Sequence, residues 1–382
     1  MKNVLIITSG FSPNIGGLET HLDDLCRYLS KNGHKVLVVT YQPLITKTKG
    51  PKVERNGNLE IHRIKWPGHW FYKLEAYPPL LFLYMFPGLF IGSLRLLLRH
   101  RKEVDVIHAH GIIPALATKI LVKIFKKRSV ISTHTIYGLK EQPILSKAIE
   151  WILSSFDAIL PLAQMSRDEL VAIGLPDERI RIYTHWVDLD KFKPLEQNKC
   201  KAELNLEGKF VALFLSRLAE NKGVNALLEA ALKVNHEVTF VFVGDGPLAG
   251  RVKEEAKVRQ NVKLFNQVPN EETPKYYNAA DVFVIPSQYE EPFGRVVAEA
   301  LACGIPVIAS NWGTLPQIVK PSVGIVIEPS AENIAQTINS LRENQEQLLM
   351  MRANCRAYAV EHFSERNAEI ILNAYRGEDS HA

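Results

Sequence analysis

The stretch DVFVIPSQYEEPFGRVVAEALACGIPVIAS carries the most chemistry in this chain, with Glu291 and Glu299 eight residues apart. Glu291 falls in the turn EEPFG, at the mouth of an expected helix Arg295–Ala302, and Glu299 lies in the middle of that helix. The backbone N–H groups of Phe293, Gly294 and Arg295 would point toward an anion at the helix start. A carboxylate further along can accept two hydrogen bonds from the vicinal hydroxyls of a ribose. A solvent-facing glutamate is the plainer alternative. On so apolar a helix, however, a buried carboxylate needs a ligand or a cation.

Three other segments add to this. In SRLAENKG, Arg217 and Lys222 follow a strand end within six positions, with Gly223 behind them. The fork of one and the point charge of the other suit a diphosphate, although two exposed cations fit the spacing as well. In SGFSPNIGGLETHLDDL, Pro13 and Asn14 suit a turn, and Gly16-Gly17 precede a helix starting near Leu18. Its free N–H groups would attract phosphate, while a glycine pair also serves a plain turn. In VDVIHAHG and VISTHTIYG, His110 and His134 sit at the ends of two strands. Lone histidines are commonly structural, but two at adjacent strand ends favour polar or proton-handling work.

Some chemistries are disfavoured. The glycine pair is not GxGxxG, and GDGPLAG has no acidic partner placed about 20 residues on, so a dinucleotide fingerprint is not expected. The one D-x-D, Asp188-Leu189-Asp190, lies in a linker, so no metal-centred site is expected. Cys26, Cys200, Cys303 and Cys355 are far apart with no CxxC, which fits a reducing compartment. The N-terminal MKNVLIITSG lacks a signal-peptide pattern, so a cytoplasmic location is expected.

The elements that must position these residues are short Val/Ile/Leu-rich runs alternating with amphipathic stretches, the pattern of βαβ units. Strands are expected in the first half at Val4–Ser9, Lys35–Thr40, Val104–His110, Arg128–His134, Asp157–Ala163 and Arg179–His185. In the second half they are expected at Phe210–Ser216, Val238–Gly244, Val262–Phe265, Asp281–Ser287, Pro306–Ser310 and Gly324–Glu328. A length of 382 residues, 46% hydrophobic and 23% charged, suits two globular domains. The expected division is a domain at 1–190, a linker at 191–208, a second domain at 209–363, and a tail at 364–382 returning to the first domain. Two doubly wound sheets in series would bring both sets of carboxyl ends to a shared cleft.

Together these segments resemble family 4 of the retaining glycosyltransferases, with the α/β GT-B architecture of two Rossmann-like doubly wound parallel-sheet domains facing a central cleft. The resemblance runs from SPNIGGLE through SRLAENKG and VGDGPL to ADVFVIPSQYEEPFGRVVAEALACGIPVIAS, and the Glu291/Glu299 pair is its most specific element. It implies metal-independent transfer from a nucleotide-sugar, which is a substrate, so no cofactor is expected. By position, Arg217 and Lys222 would bind the diphosphate and Glu299 the ribose. Glu291, Phe293 and Gly294 would bind the donor sugar, and backbone near Val268 (Asn266–Pro269) would meet the base. Gly16 and Gly17 would face the phosphate and acceptor, and His110 would stand by the transferred sugar and leaving group. Glu19, His134 and Tyr137 would contact the acceptor. A front-face mechanism, in which the leaving phosphate receives the acceptor proton, is the family expectation. Members often show T-x-H-D where this chain has STHTIYG, with Thr135 in place of the acid. Where members read N-G-V-D, this chain has His185-Trp186-Val187-Asp188, with Trp186 either packing or lining the acceptor.

Charge is uneven: residues 1–190 hold 25 Lys+Arg against 17 Asp+Glu, and the rest hold 21 against 24. Part of the excess lies in two apolar-basic stretches, PPLLFLYMFPGLFIGSLRLLLRHRK and KILVKIFKKR. Prolines 78, 79 and 87 are expected to break the first, leaving no clean membrane span. Either stretch could lie on an anionic membrane surface at its inner face, or be a core helix with a solvated side. The leading expectation is a retaining transferase moving a hexose-type sugar from a UDP- or GDP-sugar to a glycolipid, lipid-linked glycan or polysaccharide-type acceptor. The alternatives are a transferase for a small soluble acceptor and a catalytically silent GT-B binding subunit. Nucleic acid is not an expected partner, since the basic stretches lack interleaved base-stacking aromatics.

Overall fold

A computed structural model describes residues 2–14, 16–44, 48–68, 74, 77–235 and 237–378. The chain forms two compact units: Met1–His185 with Glu365–Ala382, and Trp186–Ser364.

The first unit is built on a seven-stranded sheet. Its strands are β1 (Val4–Thr8), β2 (Val36–Tyr41), β3 (Val53–Asn56), β4 (Leu59–Ile64), β5 (Val106–His110), β6 (Arg128–Thr133) and β7 (Ala158–Pro161). Their order is β3-β4-β2-β1-β5-β6-β7, all parallel except the β3/β4 hairpin. β1 and β2 are buried along their whole length, as expected of central parallel strands covered on both faces. The parallel register pairs Thr8 with His110 and His110 with Ser132, so the three strand ends are level.

Three expectations for this unit need correction. Arg179–His185 is not a ladder strand: only an isolated bridge, Ile159 to Ile180, forms, although Arg181 N and Tyr183 N still donate to Ile159 O and Pro161 O. The hairpin β3/β4 was not expected, because VERNGNLEIHRI is too polar to read as buried strand. Its two-residue Gly57-Asn58 turn, with Gly57 at φ 55°, was nevertheless a readable signal. Pro87 does not break its segment either: Pro78–His100 is one helix, and Pro79–His100 is long and apolar enough to cross a membrane by length and composition alone. In the first unit this helix buries Met85, Leu89, Leu96 and Leu97 against Leu5, Leu37 and Val39 of the sheet. Tyr41 mends the ladder near the proline. Its hydroxyl donates to Met85 O and accepts from Leu89 N at 3.0 Å, and a side chain at Gly88 would collide with it.

The second unit carries six parallel strands: β8 (Phe210–Leu215), β9 (Val238–Val243), β10 (Val262–Phe265), β11 (Val282–Ile285), β12 (Val307–Ser310) and β13 (Gly324–Ile327). Their order is β10-β9-β8-β11-β12-β13. The core of this unit gathers strand residues such as Phe240 and Phe242 with Leu227, Ile334, Ile338 and Leu348 from its helices. Residues 191–208 are not a free linker. They fold into the second unit, with helix Gln197–Glu203 capped by the Glu196 carboxylate, which accepts from Asn198 N and Lys199 N. Phe192, Leu204 and Leu206 are buried there. The final helix, Ala368–Arg376, belongs to the first unit, where Arg128 Nε donates to Ala374 O at 2.6 Å.

Candidate active site

In the second unit, neighbouring strands β8 and β11 release the two loops that carry most of the expected chemistry. The loops are tied together: Gln288 N donates to Asn221 O at 2.8 Å, and any side chain at Gly223 (φ 77°) would collide with the Pro286 carbonyl. This close approach sets Lys222 beside Glu291. Lys222 Nζ donates to Glu291 Oε1 at 2.6 Å and to the Tyr289 hydroxyl, and lies 4.5 Å from the Tyr289 ring centre. Ser287 Oγ donates to the same carboxylate oxygen at 2.9 Å. The Glu291 backbone carbonyl is held by Thr314 N and Oγ1, at 2.9 and 3.1 Å. Glu291 is therefore a buried carboxylate neutralised by a less buried ammonium. Arg217 is exposed at the end of β8, with no hydrogen bond or ion pair to its guanidinium among the described residues.

Helix Arg295–Ala302 begins from Gly294 (φ 70°) with no side-chain cap. Glu299 is buried on it, and both of its oxygens are engaged. Oε1 accepts from Arg295 Nε at 3.1 Å, one helical turn back, and Oε2 accepts from Tyr277 OH at 2.9 Å. Burial raises the Glu299 pKa, opposed by Arg295 and Tyr277. Its cation is thus internal, and a ribose would have to use the lone pairs that remain. The Arg295 side chain was not anticipated as its partner, although the i, i+4 spacing was a usable signal; Tyr277, from helix Thr273–Ala279, left none. Phe293 packs edge-on against Phe363 with ring centres 5.9 Å apart, leaving its backbone as the part that could meet a sugar. Val268 is half-buried in the coil after β10. Trp186 is fully buried and its carbonyl accepts from Arg295 Nη1 at 2.9 Å, so it is a packing residue.

In the first unit, His110 and His134 do come together, His110 Nδ1 lying 2.9 Å from His134 Nε2. Around them stand three histidines that were not anticipated. His21 stacks on His185 with ring centres 3.7 Å apart and lies 6.0 Å from His134. His108 sits 4.1 Å from the His110 ring, tied to Tyr375 OH at 2.7 Å and Ser132 Oγ at 2.9 Å. The period-two spacing of His108 and His110 was the missed signal, since it puts both on one face of β5. Burial holds these imidazoles neutral: His108 and His134 are each pushed down to about 3, and His110 well below its usual range. No group of three or more His, Cys, Asp or Glu among the described residues is arranged to hold a metal ion.

Two further expectations change. The Glu19 carboxylate folds back over Gly10 and Gly16, where a Cβ at either glycine would collide with it. It thus occupies the electropositive helix start that Gly16 and Gly17 were expected to offer to phosphate. Tyr137 is turned into the Leu139–Ile149–Leu170 cluster with its hydroxyl buried and unpartnered, away from an acceptor role. Of the cations in KILVKIFKKR, Lys119 is buried, donating to Trp151 O with its ammonium 4.2 Å from the Trp151 ring centre. Arg128 is committed to Ala374.

Two α/β units with charged loops at the strand ends of the second define a GT-B-type glycosyltransferase. The family models agree: "Glycosyltransferase Family 4" matches residues 15–191 and "Glycosyl transferases group 1" matches residues 196–361, and the chain belongs to this family. It is 22% identical over 348 residues to the gpi3 subunit of phosphatidylinositol N-acetylglucosaminyltransferase from Schizosaccharomyces pombe, covering 88% of this chain and 72% of that one. It is 27% identical over 310 residues to D-inositol 3-phosphate glycosyltransferase 1 of Catenulispora acidiphila, covering 73% and 74%. Among solved structures, sucrose-phosphate synthase from Thermosynechococcus elongatus shares the fold with a TM-score of 0.81 at 22% identity, over 99% of both chains.

Proposed function

We propose that the protein is a retaining transferase that moves a hexose-type sugar from a UDP- or GDP-sugar to a lipid-linked or polysaccharide-type acceptor. The observation that carries this reading is the Lys222–Glu291 pair at the joined ends of β8 and β11, with Arg217 exposed just after β8. In this reading the donor diphosphate draws Lys222 and Arg217, and Glu291, released from Lys222, accepts from donor-sugar hydroxyls. Glu299 meets the ribose and the backbone at Val268 the base. Departure of the nucleoside diphosphate concentrates negative charge, which the two cations stabilise without a divalent ion. Chelation should therefore leave the rate unchanged. In the first unit His110 stands by the transferred sugar, with His134 and Glu19 on the acceptor side.

The names of the two relatives include a phosphatidylinositol and an inositol phosphate, which match the lipid reading and its small-acceptor alternative. Exposed apolar side chains in the first unit favour the lipid. Leu80, Leu83 and Leu98 on helix Pro78–His100, and Ile144 and Trp151 on helix Pro143–Leu153, stand out to solvent with the cations Arg95, Arg99, Lys123 and Lys147 exposed on the same unit. Co-sedimentation with anionic vesicles at low salt tests this, and failure to bind turns the search to soluble acceptors. The donor is tested by thermal stabilisation with millimolar UDP, GDP, ADP and dTDP against NAD. A diphosphate at 100 times its dissociation constant adds about 2.7 kcal/mol. No shift with any nucleotide would favour the silent binding subunit.

A further inference from the structure

Within the second unit, Lys222 and Glu291 neutralise each other from unequal positions: the ammonium is 19% exposed and the carboxylate 6%. An anion that reaches the joined ends of β8 and β11 meets Lys222 first and must compete with Glu291 for it. When Lys222 turns to such a ligand, two neutral hydroxyls stay on the carboxylate. Ser287 Oγ donates to Oε1 at 2.9 Å, and the Tyr289 hydroxyl is hydrogen-bonded to the same side chain. Among the described residues, Lys222 is the ion-pair partner of Glu291.

A buried carboxylate that loses its counter-charge is strongly destabilised, whereas an exposed one is hardly affected. Glu291 lies between these limits, so a ligand that draws Lys222 away should lose a factor of about ten or more in affinity. The loss depends on what else the ligand brings. A bare phosphate or diphosphate offers lone pairs, which an ionised carboxylate repels. A hydroxyl offers an O–H, which the carboxylate accepts in a charge-assisted bond. A ligand that carries phosphate and hydroxyls close together satisfies both partners at once, and the cost of parting them falls on the bare anion.

We propose that the Lys222–Glu291 pair discriminates an intact sugar diphosphate from the free diphosphate. Glu291 is the specificity-determining residue: its charge holds Lys222 back from any anion that does not also supply hydroxyls. This rests on the function proposed above, in which the ligand is a nucleotide-sugar. The pair then favours the donor over the nucleoside diphosphate left after transfer, and its re-formation helps to expel that product.

Binding, without turnover, tests this. Dissociation constants are measured by calorimetry on the full chain for UDP, GDP, ADP and dTDP, each beside its glucose conjugate, with UDP-N-acetylglucosamine and GDP-mannose added. Glu291→Gln keeps the shape and removes the charge, so it should bind the matching nucleoside diphosphate about tenfold or more tighter than the parent does. The sugar conjugate should gain less than this or lose, so that the preference for it shrinks. Glu291→Ala should show the same gain for the free diphosphate, and covers the case in which glutamine distorts the turn. Glu290→Gln is the control. Glu290 is exposed, next in the chain and outside the pair, and loss of its charge should leave the preference as in the parent. Nucleotide binding by the parent with no gain in the Glu291 variants, or with an equal gain in Glu290→Gln, overturns the proposal and leaves the function standing. Failure of the parent and of both Glu291 variants to bind any of these nucleotides overturns the function, and the proposal with it.

Discussion

The two units keep polar groups out of water by opposite means. In the second, buried charge meets charge: Glu291 is paired with Lys222, and Glu299 with Arg295. In the first, the polar cluster is uncharged, because burial strips the proton from imidazoles that no carboxylate supports. A paired charge is stable until one partner is removed, and then the survivor is expensive. A neutral imidazole is cheap to bury, but it must lose stability when the medium forces a proton onto it.

The largest effect should come from breaking the deeper pair. Arg295→Met leaves Glu299 buried without its cation and should cost about 3–5 kcal/mol in urea unfolding. Adding Glu299→Met to it should recover most of that loss. If the single change were harmless, Glu299 would not depend on an internal counter-charge. Next, Lys222→Ala should lower kcat by about 10²–10³. Near-normal turnover would remove Lys222 from the transfer site.

The pH dependence sharpens the contrast. For His108 and His134 the folded-state values, about 3, lie below the unfolded value of about 6.5. Their contribution is therefore fully present above about pH 6.5 and is lost as pH falls toward 3. Asp23 has the opposite sign. Burial, with Asp24 nearby, pushes it up to about 6, so its contribution is present at low pH and fades as pH rises through 6. Unfolding free energies measured from pH 4 to 8 should accordingly fall more steeply on the acid side in Asp23→Asn, and less steeply in His134→Gln. The smallest effect belongs to Tyr41→Phe, which unties Met85 O and Leu89 N near Pro87. It should cost about 1–3 kcal/mol by thermal or urea unfolding, with no change in turnover.

All six strands of the second unit were legible in the sequence, because strands of a parallel sheet are short apolar runs between turn signals. The charges were visible too: Arg217, Lys222 and Glu291 follow strand ends, and Glu299 is a carboxylate on an otherwise apolar helix, where it needs an explanation. The polar hairpin β3/β4 was less visible, since β3 is largely exposed and VERNGNLEIHRI holds no continuous apolar run.

Residue types and spacing by themselves determined the two-unit α/β plan and which strand ends carry the charges, while the glycosyltransferase family entered through the resemblance of its motifs. Partnership was decided only in three dimensions. That Lys222 neutralises Glu291, that Tyr277 completes Glu299, and that Glu19 covers Gly10 and Gly16 all depend on contacts across loops and helices. His21, His108, His110, His134 and His185 likewise meet only because the level ends of β5 and β6 bring distant segments of one unit together. Local periodicity dictates which face a side chain occupies. Whether that face meets solvent, an opposite charge or another imidazole is settled by the packing of elements far apart in the chain.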